Sequence, residues 1–277
     1  MNISKEEHLK HILSDAMVCF KNRMNFDISF DDTVLAFFTP ENGLKVYEDF
    51  CDRYFPNWTH DDYKAEGYFE EFAASAFVGE KYGILIRSDL DETDFDWFRI
   101  FLHEISHIYC VVNEIGGEIF FDKYCRVEQG IDLGVINAGY QIWREAIADI
   151  MAQIVNPDAG KHKLKTVSKD VQAFYNEIAF KNPASRKAMS LIIAYIMSTE
   201  EVRRAKSWDA VVGRVTDTIG IKDDLIYLML ELTYRILDKD EYWKINLDFI
   251  ISLGEIYLMI LTNKKLNRVL FTDDGMQ

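Results

Sequence analysis

Proline occurs only four times in 277 residues and glycine 14 times, so chain breakers are sparse and long helices are favoured. Basic residues are also short, 31 against 46 acids, for a net charge of −15. A polyanion is repelled by that average field, which argues against nucleic acid as a partner and leaves solubility, cationic peptides or metal ions as its uses. Cysteine is limited to Cys19, Cys51, Cys110 and Cys125, with no CxxC pair, the usage of reduced core thiols. No uninterrupted apolar run is long enough for a membrane span. The best, INLDFIISLGEIYLMIL, is broken by Asp248 and Glu255 and falls short of the ~20 residues required. The opening MNISKEEHLKHIL carries charges where a secretion signal needs a continuous apolar stretch, so a cytoplasmic protein is expected. What is present is ample core material, 49% hydrophobic and 14% aromatic.

The pattern predicts an α+β protein, predominantly helical. Apolar positions Leu9, Ile12, Leu13, Ala16, Met17 and Phe20 recur at helical spacing within residues 4–23, and a second helix is expected after Pro40. FAASAFV and YGILIRS, separated by GEK, read as a β-hairpin. Phe95, Phe98, Leu102, Ile105, Ile108, Tyr109 and Val112 then mark a helix, with Thr93 and Asp96 as an approximate capping box and Gly116-Gly117 as the stop. A less regular segment, 118–138, leads to a helix over AGYQIWREAIADIMAQIV that Asn156-Pro157 ends. From about Ala159 the chain reads as a bundle of about five helices. A boundary near PDAG divides it into residues 1–158 and a helical subdomain, 159–277. No internal repeat is present.

The chemistry concentrates in HEISH. His103 and His107 stand four apart, hence on one helix face, and both can reach one ion at a Zn–N length of ~2.0–2.1 Å. Glu104 is turned about 100° from His103, unsuited to ligation there but placed to take a proton from a zinc-activated water. A third ligand is needed. The HExxHxxGxxH continuation fails, because Cys110 and Asn113 occupy its glycine and histidine positions. Glu114 lies roughly 16 Å further along the axis if the helix continues, out of reach. The better candidate is Glu145 in REAIADIMA, with Asp149 one turn on and small Ala146, Ala148 and Ala152 to let helices approach. Asp149 can accept the outward N–H of a ligating histidine and set its tautomer.

His103, Glu104 and His107, followed downstream by Glu145 and Asp149, resemble the HExxH…ExxxD pattern of the gluzincin (thermolysin-like) metallopeptidases. The resemblance covers roughly residues 80–155 and is similar also to short cytoplasmic zincins that cleave phage repressors and stress regulators. It implies a zincin-like fold, a small mixed sheet plus the HExxH helix. It also implies one Zn²⁺ held by His103, His107 and Glu145, Glu104 as general base, and Asp149 orienting a ligand. Peptide or protein substrate would lie along an edge strand, for which GILIRS is the candidate. The pattern departs from that group after Glu145. The one later histidine, His162, follows very soon, and the oxyanion donor could instead be a tyrosine: Tyr124, Tyr140, Tyr195, Tyr227 or Tyr234. The leading expectation is a zinc-dependent peptidase. The alternative is a zincin-like metal-binding regulatory or interaction protein with little or no turnover.

Overall fold

The computed structural model describes residues 4–56, 61–64, 67–91, 95–115, 133–156, 163–179, 185–238 and 245–262. Among these residues the protein is mostly helical, with ten α-helices and one mixed three-stranded sheet. No helix among them is long and apolar enough to cross a membrane. The chain divides into two compact units. The first is Met1–Glu118 with Ile147–Lys161, the second Ile119–Ala146 with His162–Gln277.

The first unit opens with α1 (Lys5–Met24). Its start is capped by the Ser4 hydroxyl, which accepts from the Glu7 N–H, and its end by Asn25 in the left-handed region. Then follow β1 (Thr33–Phe38), α2 (Gly43–Tyr54), β2 (Ala74–Val78), β3 (Tyr82–Arg87) and α3 (Trp97–Val112). The hairpin is present as β2 and β3, antiparallel. GILIRS, however, is not an edge strand: β3 is central, because β1 pairs with it in parallel on the other side, from Thr33↔Tyr82 to Phe38↔Arg87. The run of buried residues Gly83, Ile84, Leu85 and Ile86 is what a strand covered on both faces requires.

Side chains alternate across this sheet. Ile84 and Ile86 of β3, with Ala74 and Ala76 of β2, pack against Leu13 and Phe20 of α1 and Phe101 and Ile105 of α3. Leu85 and Phe77 point to the opposite face, into an aromatic layer with Tyr47 and Phe50 of α2, Phe55 and Phe69. Gly83 makes this layer possible, since a Cβ there would stand 2.5 Å from Cζ of Phe55. The helix that bears HEISH thus rests on a sheet braced from behind.

Cys51 of α2 is 7% exposed in the aromatic layer. Burial, partly opposed by Tyr47, pushes its thiol from 9.0 up to about 11. The unfolded chain therefore loses this proton first. The stabilisation is complete below pH 9.0 and is lost as pH rises towards about 11. We expect the urea midpoint to fall across that window, and to fall less steeply in Cys51→Ala. Equal slopes would show that the thiol is not protected.

The cap of α3 stands three residues after the expected one, Thr93. Asp96 is itself the N-cap, accepting from the Arg99 N–H at 3.1 Å, rather than the third residue of a capping box; Thr93 and Gly116-Gly117 lie outside the described residues. The next helix, α4 (Leu133–Val155), starts within the segment read as less regular, so residues 133–138 are helical. α4 crosses the division between the units, which falls between Ala146 and Ile147. Its later part belongs to the first unit. There the Cys19 thiol of α1 donates to the Val155 carbonyl, and the Cys110 thiol of α3 meets Sδ of Met151 at 3.6 Å.

The second unit holds the start of α4, then α5 (Leu164–Ala179), α6 (Ser185–Met197), α7 (Glu200–Arg203), α8 (Trp208–Ile219), α9 (Asp224–Asp238) and α10 (Leu247–Thr262). The apolar stretch SRKAMSLIIAYIMSTEEVRRA forms two helices, α6 and α7, because the Thr199 hydroxyl turns back to the Ile196 carbonyl and Thr199 itself is extended. Ser207 caps α8, and Gly220, at φ 80°, ends it in the left-handed conformation that glycine tolerates. α4 and α10 approach backbone to backbone, at Gly139 and Gly254.

Candidate metal centre

α3 has an apolar face buried on α1 and the sheet, through Phe101, Leu102, Ile105 and Ile108, each fully buried. That packing sets the rotation of the helix about its axis and thereby the direction of the remaining stripe, Arg99, His103 and His107, each one turn apart. The two imidazoles meet edge to face, their Nε2 atoms 2.9 Å apart. His107 is 8% exposed.

α4 brings two carboxylates one turn apart, Glu145 and Asp149, among Ala146, Ala148 and Ala152, which are wholly buried. Asp149 is fixed in the first unit: its Oδ1 lies 3.2 Å from Nδ1 of His103. Glu145 follows from the continuity of the helix and, with His103 and His107, completes a group whose ligand atoms all lie within 4.8 Å of one another. Arg144 stands beside Glu145, Nε to Oε1 4.0 Å. Atoms bound ~2.1 Å from one tetrahedral ion are about 3.4 Å apart, close to the 2.9 Å between the two Nε2 atoms and inside the 4.8 Å within which all the ligand atoms lie. Two imidazoles and a carboxylate can hold a metal ion.

With the Nδ1 proton of His103 donated to Asp149, the lone pair would lie on Nε2, the atom that faces His107. Glu104 is 7% exposed and carries no hydrogen bond or ion pair among the described residues.

Other residues singled out in the sequence are placed elsewhere. Glu114 lies beyond the end of α3, at φ 58°, and is not in the group. The Tyr227 hydroxyl donates to the Ile221 carbonyl and meets the Thr216 hydroxyl at 2.7 Å, and the Tyr234 hydroxyl donates to the Ala205 carbonyl. Both are tied into the second unit. Tyr195 packs its ring against Phe174, and Tyr140 is buried on α4. Tyr124 and His162 lie outside the described residues.

One participant was not singled out in the sequence. Arg99 reaches Asp149 Oδ1 through Nη2 at 3.2 Å. Its signal was position alone, four residues before His103 on the same face.

No family model, curated protein or solved structure matches this chain.

Proposed function

We propose that the protein is a zinc-dependent metallopeptidase of the gluzincin kind with a zincin-like fold. The observation that carries this reading is the His103–His107–Glu145 group, with Glu104 next to His103 on α3 and without a hydrogen bond or ion pair among the described residues. A two-histidine, one-glutamate set is a catalytic zinc donor set, with a fourth position left for water or substrate. Zinc there supplies a Lewis acid, which acidifies water and polarises a carbonyl. His103, His107 and Glu145 would hold the ion, and Asp149, 3.2 Å from Nδ1 of His103, would fix that imidazole in the tautomer that leaves Nε2 for the metal. Glu104 accepts the proton of the attacking water and then delivers it to the leaving amine. Since β3 is central, the substrate edge is reassigned to β2, one of the two outer strands among the described residues and the one that packs beside α3.

The test is zinc stoichiometry together with cleavage of a broad peptide library. Wild-type protein is expected to hold one zinc and cleave in a chelator-sensitive way. His107→Ala and Glu145→Ala are expected to weaken zinc binding by more than the ~10–100-fold that loss of an outer partner costs. Wild-type protein without zinc would sink the proposal. A second reading, a metal-binding regulatory protein, draws on the structural engagement of Tyr227 and Tyr234, which removes two candidate oxyanion donors. One bound zinc with no cleavage of any library member would favour it.

A further inference from the structure

Arg144 stands on α4 immediately before Glu145, and it is held loosely. Its Nε lies 4.0 Å from Glu145 Oε1, beyond hydrogen-bond reach, and its guanidinium has no other contact among the described residues. Arginines elsewhere in the chain are closed. Nη2 of Arg204 meets Glu200 and Nη2 of Arg235 meets Glu231, each at 2.6 Å and one helical turn away. Arg144 has no acid at those spacings, where Tyr140, Gln141, Ile147 and Ala148 stand instead. The side chains of Arg144 and Glu145 are 37% and 36% exposed, so a solute can reach both.

A guanidinium carries its donors in a planar fork that matches the two oxygens of a carboxylate. The net charge of −15 repels anions on average, so an anionic group can settle beside Glu145 only where a local cation compensates it. We propose that Arg144 is a specificity residue of the metal site and binds a carboxylate of the peptide substrate, supplied by its C-terminus or by an acidic side chain. The inference rests on the zinc reading above, because Glu145 must give its charge to an ion before the guanidinium can serve another anion. The carboxylate takes no part in the bond changes, so it is held equally before and during the reaction. Its contribution therefore falls on KM rather than on kcat.

The experiment uses one pooled dansyl-tripeptide library made twice, with free C-termini and with C-terminal amides. Retention by the Glu104→Gln protein is compared with retention by Glu104→Gln/Arg144→Met. Cleavage and zinc affinity are measured in wild type, Arg144→Met and Arg144→Lys. Peptides that carry a carboxylate are expected to bind about tenfold or more tighter than those that carry none, the worth of a hydrogen bond to a charged group. Arg144→Met is expected to erase that preference through KM and to leave kcat and zinc affinity within about threefold of wild type. Arg144→Lys, a point charge without the fork, is expected to keep part of the preference. Free C-termini favoured over amides identify the terminal carboxylate as the ligand; Asp and Glu favoured within the amidated pool identify a side chain. A wild-type protein indifferent to carboxylates, or a preference that survives Arg144→Met, overturns the proposal while zinc binding stands. Zinc lost in Arg144→Met makes the residue a support of Glu145 and overturns it as well. A wild-type chain that holds no zinc overturns both readings.

Discussion

Glu104→Gln is expected to cut peptide hydrolysis by roughly 10²–10⁴-fold, the usual worth of a positioned general base, while zinc stays bound. The substitution keeps the shape of the side chain and removes only its ability to take a proton. The same change is expected to leave the protein at least as stable as before. Glu104 has no hydrogen bond or ion pair among the described residues, so the isosteric amide breaks no described contact. Activity should thus fall while stability holds, the pattern expected of a site built for chemistry rather than for packing. Paired measurements of hydrolysis and melting temperature read both. Unchanged hydrolysis would remove Glu104 from the mechanism, and a large fall in melting temperature would make it a structural residue.

The largest stability effect is expected where α4 meets α10, at the two glycines. A Cβ on Gly139 would lie 2.0 Å from the carbonyl oxygen of Ile250 and 2.9 Å from the Gly254 nitrogen. A Cβ on Gly254 would lie 2.1 Å from the carbonyl oxygen of Val135. These obstacles are backbone atoms, which cannot rotate away as a side chain does. Relief requires the helices to separate, and separation opens the neighbouring packing, including the edge-to-face pair of Trp143 with Phe249 at 5.1 Å. Gly139→Ala or Gly254→Ala should cost about 3 kcal/mol or more, a drop of roughly 10 °C in melting temperature. Gly213 provides the contrast. It is exposed within α8 with nothing within 4 Å of its would-be Cβ, so Gly213→Ala should stabilise by about 0.5–1 kcal/mol. Thermal scans of the three variants test the geometry, and equal effects at Gly139 and Gly213 would refute it.

The parts of the fold that were legible had local signals. α8 and α9 belong to the helical bundle expected after Ala159, and there caps and apolar period agree, Ser207 and Asp223 accepting from the Ala210 and Ile226 N–H groups. The β2–β3 hairpin was legible for a similar reason, two apolar runs separated by a short turn. β1 was not: TVLAFF has no alternation, and its pairing with β3 lies about fifty residues away, beyond any local signal. Missing β1 is also why β3 was taken for an edge. At the candidate centre, helical spacing was enough to bring His103 to His107 and Glu145 to Asp149, and the small alanines marked where α4 can be approached. Arg99 escaped because a charged residue one turn from a histidine reads as solvated until the acid it faces is known. The corrected cap has the same origin, since Asp96 satisfies either role on paper and only backbone geometry separates them.

The first unit is drawn from two stretches of chain, and this orders events during synthesis. Arg99 and His103 leave the ribosome well before Asp149, which lies 50 residues after Arg99. At the usual ~5–20 residues per second that interval is roughly 2.5–10 s. Throughout it α3 exists without the helix segment that covers Ala152 and Val155 positions of its core and without the acid that orients its histidine. Until α4 arrives, the first unit therefore lacks the part of its core that Ala152 and Val155 supply, and its apolar flank stays open.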